Sequence, residues 1–296
     1  MPNLRDLRAR KKTVQATRKI TAAMKMIAAA KLRKAQKRAQ DARPYAQHMS
    51  AMIEDLRAAH AAGRERSLLT GVTGGTTHLV IVTASNRGLC GGFNAQIVRE
   101  ARKLLRQEIK EGVRVKIICV GKRARDQLKG EFGELILETF DAKDTPAFYD
   151  AARISAQVVS LFAEGAFDKC TLFYNKFISA LVFEPRHISL IPFSHMEETS
   201  SDAHAKVKHS NDSLYEYEPS QEAVLEELLP RNLSVQLYRA FLENAASEQG
   251  ARMTAMDGAT RNAGDMIHSL DLVINRTRQA HITRELVEII AGAEAI

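Results

Sequence analysis

Between Pro2 and Pro44 the chain has no proline and no glycine, and from Leu7 through Gln40 it has no acidic residue. Ala, Lys, Arg, Gln and Met dominate this stretch, and all of them favour helix. Asn3 is placed to cap a helix that runs to about His60, with Pro44 and the Ala62-Gly63 region as its weak points. Small or apolar residues recur at alternating spacings of four and three in Ala16, Ile20, Ala23, Ile27 and Ala30, and again in Tyr45, Met49, Met52 and Leu56. At about 1.5 Å per residue such a helix is roughly 80 Å long. Twelve Lys or Arg lie between Leu7 and Gln40, and Met1–Arg43 carries a net +12. The whole chain is +8, so the remainder is −4 and the basicity is local.

Composition narrows the rest. At 296 residues two structural units are expected. Aromatics are sparse and Trp is absent, which suits helices packed through small side chains. No run approaches 18 apolar residues, so no membrane-spanning helix is expected. The basic N-terminus lacks an apolar signal core and flows into helical sequence without a processing boundary. Cys90, Cys119 and Cys170 are scattered, form no metal spacing, and fit a reduced compartment.

After a flexible break at Gly71 to Gly75 the period changes. Strands are expected at 79–84, 113–120, 135–137, 170–177 and 181–191, with Pro185 marking an edge or bulge. Helices are expected at 94–110, 122–128 and 146–164. Strands alternating with helices imply an open, mostly parallel α/β sheet. The polar stretch 194–213 reads as a linker, and 214–217 as an added edge strand. Ser220 caps a second helical region that Pro230 interrupts, as a kink or as the first turn of a new helix. Beyond it, Tyr238, Leu242, Ala245, Gln249, Arg252, Met256, Ala259, Ala263, Met266, Leu270, Val273, Thr277 and Ala280 recur at a mean spacing of 3.5, as in a left-handed coiled coil. Gly250, Gly258 and Gly264 imply close approach of a neighbour. The expected architecture is a long antiparallel coiled coil (1–62 and 219–296) carrying an inserted Rossmann-like open α/β domain (75–193), with a polar linker and edge strand at 194–218. The C-terminal helix outreaches its partner.

The turn Asn86-Arg87-Gly88-Leu89-Cys90-Gly91-Gly92-Phe93-Asn94 follows a strand and opens a helix. That context invites phosphate binding at a helix N-terminus. The spacing is neither GxGxxG nor a Walker loop, and a tight structural turn at Gly88, Cys90, Gly91 and Gly92 is the better account. Cys90 has no His and Asp partners nearby. His195, His204 and His209 show no metal spacing, and Glu197-Glu198 and Glu226-Glu227 sit on ordinary polar faces. No catalytic constellation, cofactor motif or metal site is expected. Twelve cations without an anion repel one another, so an acidic partner is. Nucleic acid stays open as that partner, although no stacking aromatic lies between Leu7 and Gln40. Anionic lipid stays open too, although the Ala-rich apolar face is too thin to insert well.

Four separated motifs, in order, then become specific: Ile20 to Leu32 (ITAAMKMIAAAKL), Arg87 to Asn94 (RGLCGGFN), Ala246 to Gln249 with Arg252 to Met256 (ASEQ, RMTAM), and Ile282 to Ala293 (ITRELVEIIAGA). Along its whole length the chain resembles the γ subunits of F-type ATP synthases. The resemblance implies a rotor shaft, without bond chemistry of its own, that couples proton flow to ATP synthesis in a surrounding ring of α and β subunits. It also implies contacts with the ε subunit and the c-subunit ring. It places a basic band (Lys25, Lys31, Arg33, Lys34) against an acidic loop of β. Arg278 and Gln279 become a catch on β, with Thr283 and Glu285 as further polar contacts. Val287, Ile290, Ala291 and Ile296 would run in a hydrophobic bearing. The absence of a cysteine-bearing insertion argues against thiol regulation of the plant chloroplast kind. A start at Met1-Pro2-Asn3 favours a peripheral protein on the cytoplasmic face of a bacterial inner membrane. The competing expectations are a basic coiled-coil nucleic-acid binder and a nucleotide-using enzyme.

Overall fold

The computed structural model describes residues 3–59, 66–72, 74–193, 218 and 220–294. The chain divides into two compact units, Met1–Ala30 with Arg252–Ile296, and Lys31–Ala251. Two long terminal helices, α1 (Leu4–Ala59) and α5 (Gln221–Glu294), contribute to both.

The larger unit is built on a five-stranded mixed sheet. The hydrophobic run at 79–84 becomes β3 (Thr77–Thr83), every residue of which is buried. A strand buried on both faces belongs at the centre of a parallel sheet. β3 indeed lies between β4 (Arg114–Val120) and β6 (Lys169–Phe177), parallel to both. β5 (Ile136–Phe140) continues the parallel set, and β7 (Phe183–Ile191) closes the other edge antiparallel to β6, giving the order β5-β4-β3-β6-β7. Pro185 sits in that edge strand, as a residue without a ladder donor must. Side chains alternate across the sheet. Val80 and Val82 face α2 (Phe93–Lys110) and α3 (Lys122–Phe132), packing with Ile97, Leu105 and Leu128. Leu79 and Ile81 face the opposite layer, where Ile154 and Val158 of α4 (Phe148–Ala163) meet Leu233, Leu237 and Phe241 of α5. The C-terminal helix therefore completes the second face of the sheet.

Several expectations are corrected. The break at Gly71 to Gly75 is instead entered through a two-residue hairpin, β1 (Arg66–Ser67) with β2 (Gly71–Val72). Gly71 has φ +69°, and a Cβ there would lie 3.2 Å from Pro192. Leu135 belongs to a 3-10 turn, Gly133–Leu135, and the strand starts at Ile136. Leu181 and Val182 form the β6–β7 turn, where the Ser179 hydroxyl accepts both of their amides. Pro230 starts no new helix. α5 runs through it, and its carbonyl accepts the hydroxyls of Ser234 and Ser155. The linker 194–213 and the edge strand 214–217 lie outside the described residues.

In the smaller unit the ends of α1 and α5 pair antiparallel. Lys11 meets Asp271 at 2.5 Å, the hydroxyls of Thr21 and Thr260 are 2.8 Å apart, and Lys25 meets Asp257 at 2.6 Å. Leu4, Leu7 and Val14 pack on Leu270 and Ile274. The buried face is not the expected one. Ile20 and Ile27 are 60% and 57% exposed, while Thr21 and Ala28 are buried. Further along α1, in the larger unit, Leu32, Ala35, Ala39, Ala46, Met49 and Ile53 are buried, and Tyr45 and Met52 are exposed. On α5, Ala263, Leu270 and Ile274 are buried, whereas Met266 and Val273 are exposed. Thr21, Ala28 and Ala263 share the inward rows with Leu7, Met256, Leu270 and Ile274 while Ile20 and Ile27 stay outside, so side-chain size alone does not mark the seam. Of the three helix glycines, only Gly250 meets a close neighbour: a Cβ there would lie 2.9 Å from the Ala180 carbonyl. Nothing lies within 4 Å of such an atom at Gly258, and only the Arg18 side chain, at 3.9 Å, at Gly264.

Candidate functional site

The turn from Gly88 to Gly92 joins β3 to α2. Leu89 (φ +64°) and Gly91 (φ +57°) take left-handed conformations there, which is what reverses the chain so tightly. The inside of the turn is knitted to itself. Asn94 Oδ1 accepts the Ser85 amide at 2.9 Å, its Nδ2 lies 3.2 Å from Cys90 Sγ, and the Ser85 hydroxyl donates to the Arg87 carbonyl at 2.5 Å. Cys90 is buried and no side chain caps α2. The polar groups facing inward are spent on one another. Asn86, in the same motif, reaches the β5–α4 loop: its Nδ2 donates to Ala142 O at 2.9 Å, and its Oδ1 accepts the amides of Lys122 (3.0 Å) and Ala142 (3.3 Å).

The motif Ala246-Ser247-Glu248-Gln249 is buried throughout. Ser247 donates to the Asn175 carbonyl at 3.1 Å, and Asn244 Oδ1 lies 3.3 Å from Asn175 Nδ2. One turn away, Arg239 and Glu243 pair at 3.4 Å with side chains 12% and 3% exposed. Buried polar contacts of this kind hold α5 at one register on β6.

The basic band is partly engaged within the chain. Lys25 pairs with Asp257, whose carboxyl is held below the usual carboxylate range by the hydrogen bond and charge of Lys25. Lys31 pairs with Asp144 at 2.5 Å. Arg33 and Lys34 are exposed, and neither has an ion pair among the described residues. The sequence offered no signal for Asp144, which lies 113 residues from Lys31. Asp257 carried a weak one, since it adjoins the expected seat Met256 on the C-terminal stripe.

Every residue of α5 from Arg278 to Ala291 whose burial is described is exposed. Arg278 is exposed and makes no side-chain hydrogen bond or ion pair among the described residues. The Thr283 hydroxyl donates to the Gln279 carbonyl at 3.0 Å, and Glu285 lies 3.1 Å from His281 Nδ1. Val287 and Ile290 are 60% and 57% exposed, with Ile282, Leu286 and Ile289 exposed beside them. Ile296 lies outside the described residues. Among the described residues no group of three or more His, Cys, Asp or Glu could hold a metal ion, and no helix is long and apolar enough to cross a membrane.

Two long terminal helices around a central mixed sheet, with the last turns bare, define a stalk-type subunit. Comparison with known proteins agrees. The family model described as ATP synthase matches residues 3–296. The ATP synthase gamma chain of Sinorhizobium medicae is 50% identical over the full length of both chains, and that of Brucella canis 49%. A central stalk/c-ring structure of the Tetrahymena thermophila mitochondrial ATP synthase matches at TM-score 0.60 and 26% identity, over 81% of this chain and 99% of that one. A Euglena gracilis mitochondrial ATP synthase chain shares the fold at TM-score 0.67 and 20% identity, over 99% and 94%. The chain belongs to the ATP synthase gamma chain family, the gamma subunits of the central stalk and rotor. The nucleic-acid alternative finds no support in these comparisons.

Proposed function

We propose that this chain is the non-catalytic central shaft of an F-type ATP synthase, with α1 and α5 wound as an antiparallel coiled coil beside a Rossmann-like domain. In this reading the shaft stands in a ring of α and β subunits and meets the ε subunit and the c-subunit ring at its foot. It lies peripherally on the cytoplasmic face of a bacterial inner membrane. The observation that carries it is the end of α5. From Arg278 to Ala291 every residue whose burial is described is exposed, and the helix displays Ile282, Leu286, Val287, Ile289 and Ile290. Contiguous exposed apolar surface of that kind belongs in an interface.

The proposed division of labour follows the chemistry along the helices. Val287, Ile290 and Ala291, with Ile296, form an apolar bearing in which few directional contacts resist turning. Arg278 and Gln279, with Thr283 and Glu285, form a polar catch on β. The planar fork of Arg suits a carboxylate. Lys25, Lys31, Arg33 and Lys34 meet an acidic loop of β. A shaft drives its ring only through contacts that differ between the ring's conformers, and the catch is such a contact.

The test is steady-state ATP hydrolysis by assembled complexes carrying Arg278→Ala or Gln279→Ala. A charge-assisted contact of about 1.5–3 kcal/mol, lost wholly from one barrier, slows that step about ten- to a hundredfold. Turnover should fall in both variants at normal subunit stoichiometry. Unchanged turnover would remove these residues from the mechanism.

A further inference from the structure

Lys31, Lys34 and Arg38 lie at i, i+3 and i+7, on one face of α1. With Ala35, Asp144 and Thr145 they line a cleft of about 30 Å³. That volume holds about a water or two, which leaves little room beside a carboxylate. Asp144 already contributes one, 2.5 Å from Lys31. Neither Lys34 nor Arg38 has an ion pair among the described residues, so the cleft retains excess positive charge.

Asp144 does not owe its place to Lys31. One end of its loop is fixed by Asn86, which holds Ala142 at both its amide and its carbonyl. The other end is fixed by Asp150, which pairs with Lys143 at 2.6 Å and accepts the Ala147 amide at 3.0 Å. The carboxylate is presented to α1 from a loop braced on both sides. The Lys31–Asp144 pair itself is 44% and 40% exposed, and exposed pairs are weak enough to exchange readily.

We propose that Asp144 is a built-in occupant of this cationic cleft, standing where a carboxylate of an acidic partner segment binds, so that docking of the segment transfers Lys31 from Asp144 to the partner. The proposal rests on the reading of Lys31 and Lys34 as partner-facing given above, and adds a regulatory element to it. The partner is a peptide segment with several carboxylates. A lone anion gains nothing over Asp144, which is held at high effective concentration by its own chain, whereas a segment of several acids also recruits Lys34 and Arg38.

The test is a fluorescence-anisotropy titration of the full chain with a labelled hexapeptide of alternating Glu and Asp at low salt. Asp144→Asn should tighten binding about two- to fivefold. Asp144→Glu should bind as the unaltered chain does, and adding Lys31→Gln to Asp144→Asn should erase the gain. Lys31→Gln alone breaks the same pair from the other side, so any effect of lost stability appears in it without tighter binding. If Asp144→Asn binds no tighter while Lys34→Gln with Arg38→Gln binds more weakly, the internal occupant is refuted and the partner-facing band stands. If the Lys34 and Arg38 changes have no effect, the band reading falls and this proposal with it.

Discussion

At Gly121, between β4 and α3, φ is +103° and a Cβ would lie 2.3 Å from the Ala84 carbonyl. The backbone of the neighbouring crossover passes there, and no side chain can yield. Gly121→Ala combines left-handed strain with a backbone clash and should cost about 2–4 kcal/mol, read as a lower urea midpoint at unchanged m-value. His78 offers a second residue-scale test. Its ring is buried, with Nε2 2.8 Å from Thr171 Oγ1 and Nδ1 3.2 Å from Glu108, which also takes Lys169 at 2.8 Å. Burial pushes the imidazole down to about 4; the Glu108 carboxylate opposes that shift and the Lys169 ammonium adds to it. The folded chain thus binds fewer protons than the unfolded chain between pH 4 and about 6.5. The stabilisation from His78 is complete above about 6.5 and is lost as pH falls toward 4. His78→Gln should flatten that part of the stability–pH curve, measured by urea unfolding at pH 5 and pH 7. An unchanged slope would assign the acid sensitivity to other groups.

Elements were legible where hydrophobic runs or caps announced them. Asn3 caps α1, its Oδ1 accepting the Arg5 amide at 3.0 Å, and Ser220 caps α5 through the Ala223 amide at 3.2 Å. The run at 79–84 read as a buried strand because both its faces are apolar, and the structure puts it at the centre of the sheet. The seam of the smaller unit was not legible. Periodicity weighs side chains by size, and here the bulky residues Ile20 and Ile27 point away while Thr21 and Ala28 turn inward. On α5 the anchors Met256, Ala263 and Leu270 lie among the expected seats, but Ile274 is buried rather than Val273, and Thr260, beside the expected Ala259, makes the bond to Thr21. The hairpin at 66–72 escaped because two-residue strands carry no period. Leu270→Ala should cost about 2–4 kcal/mol. Ile20→Ala and Ile27→Ala should stay within about 0.5 kcal/mol. Thermal unfolding of the three variants distinguishes this seam from the one that bulk alone predicts.

Across the whole molecule the charge is polarised, with +12 in Met1–Arg43 and −4 in the remainder. Internal pairs spend only some of that charge, at Lys11, Lys25 and Lys31. Long-range attraction of a basic helix to an acidic partner acts mainly on encounter and is screened by salt. Association of the chain with an α/β ring prepared without it should slow by about tenfold between 50 and 500 mM KCl. A rate independent of salt would mean that the band plays no part in capture. The large-scale identity was legible because four motifs kept their order over the whole chain. The internal partners of the band were not, because Asp144 comes beside Lys31 only through the folded sheet.

The bare end of α5 also bears on the fate of surplus copies. A chain made faster than its partners carries Leu286, Val287, Ile289 and Ile290 exposed to solvent. Such a surface invites self-association and recognition by chaperones and proteases. Incorporation protects it, since whatever binds only the folded chain lowers the unfolded population. In the bearing role proposed above, the feature that serves the assembly should also make the orphan short-lived, and so help match its abundance to that of the ring without a dedicated regulator.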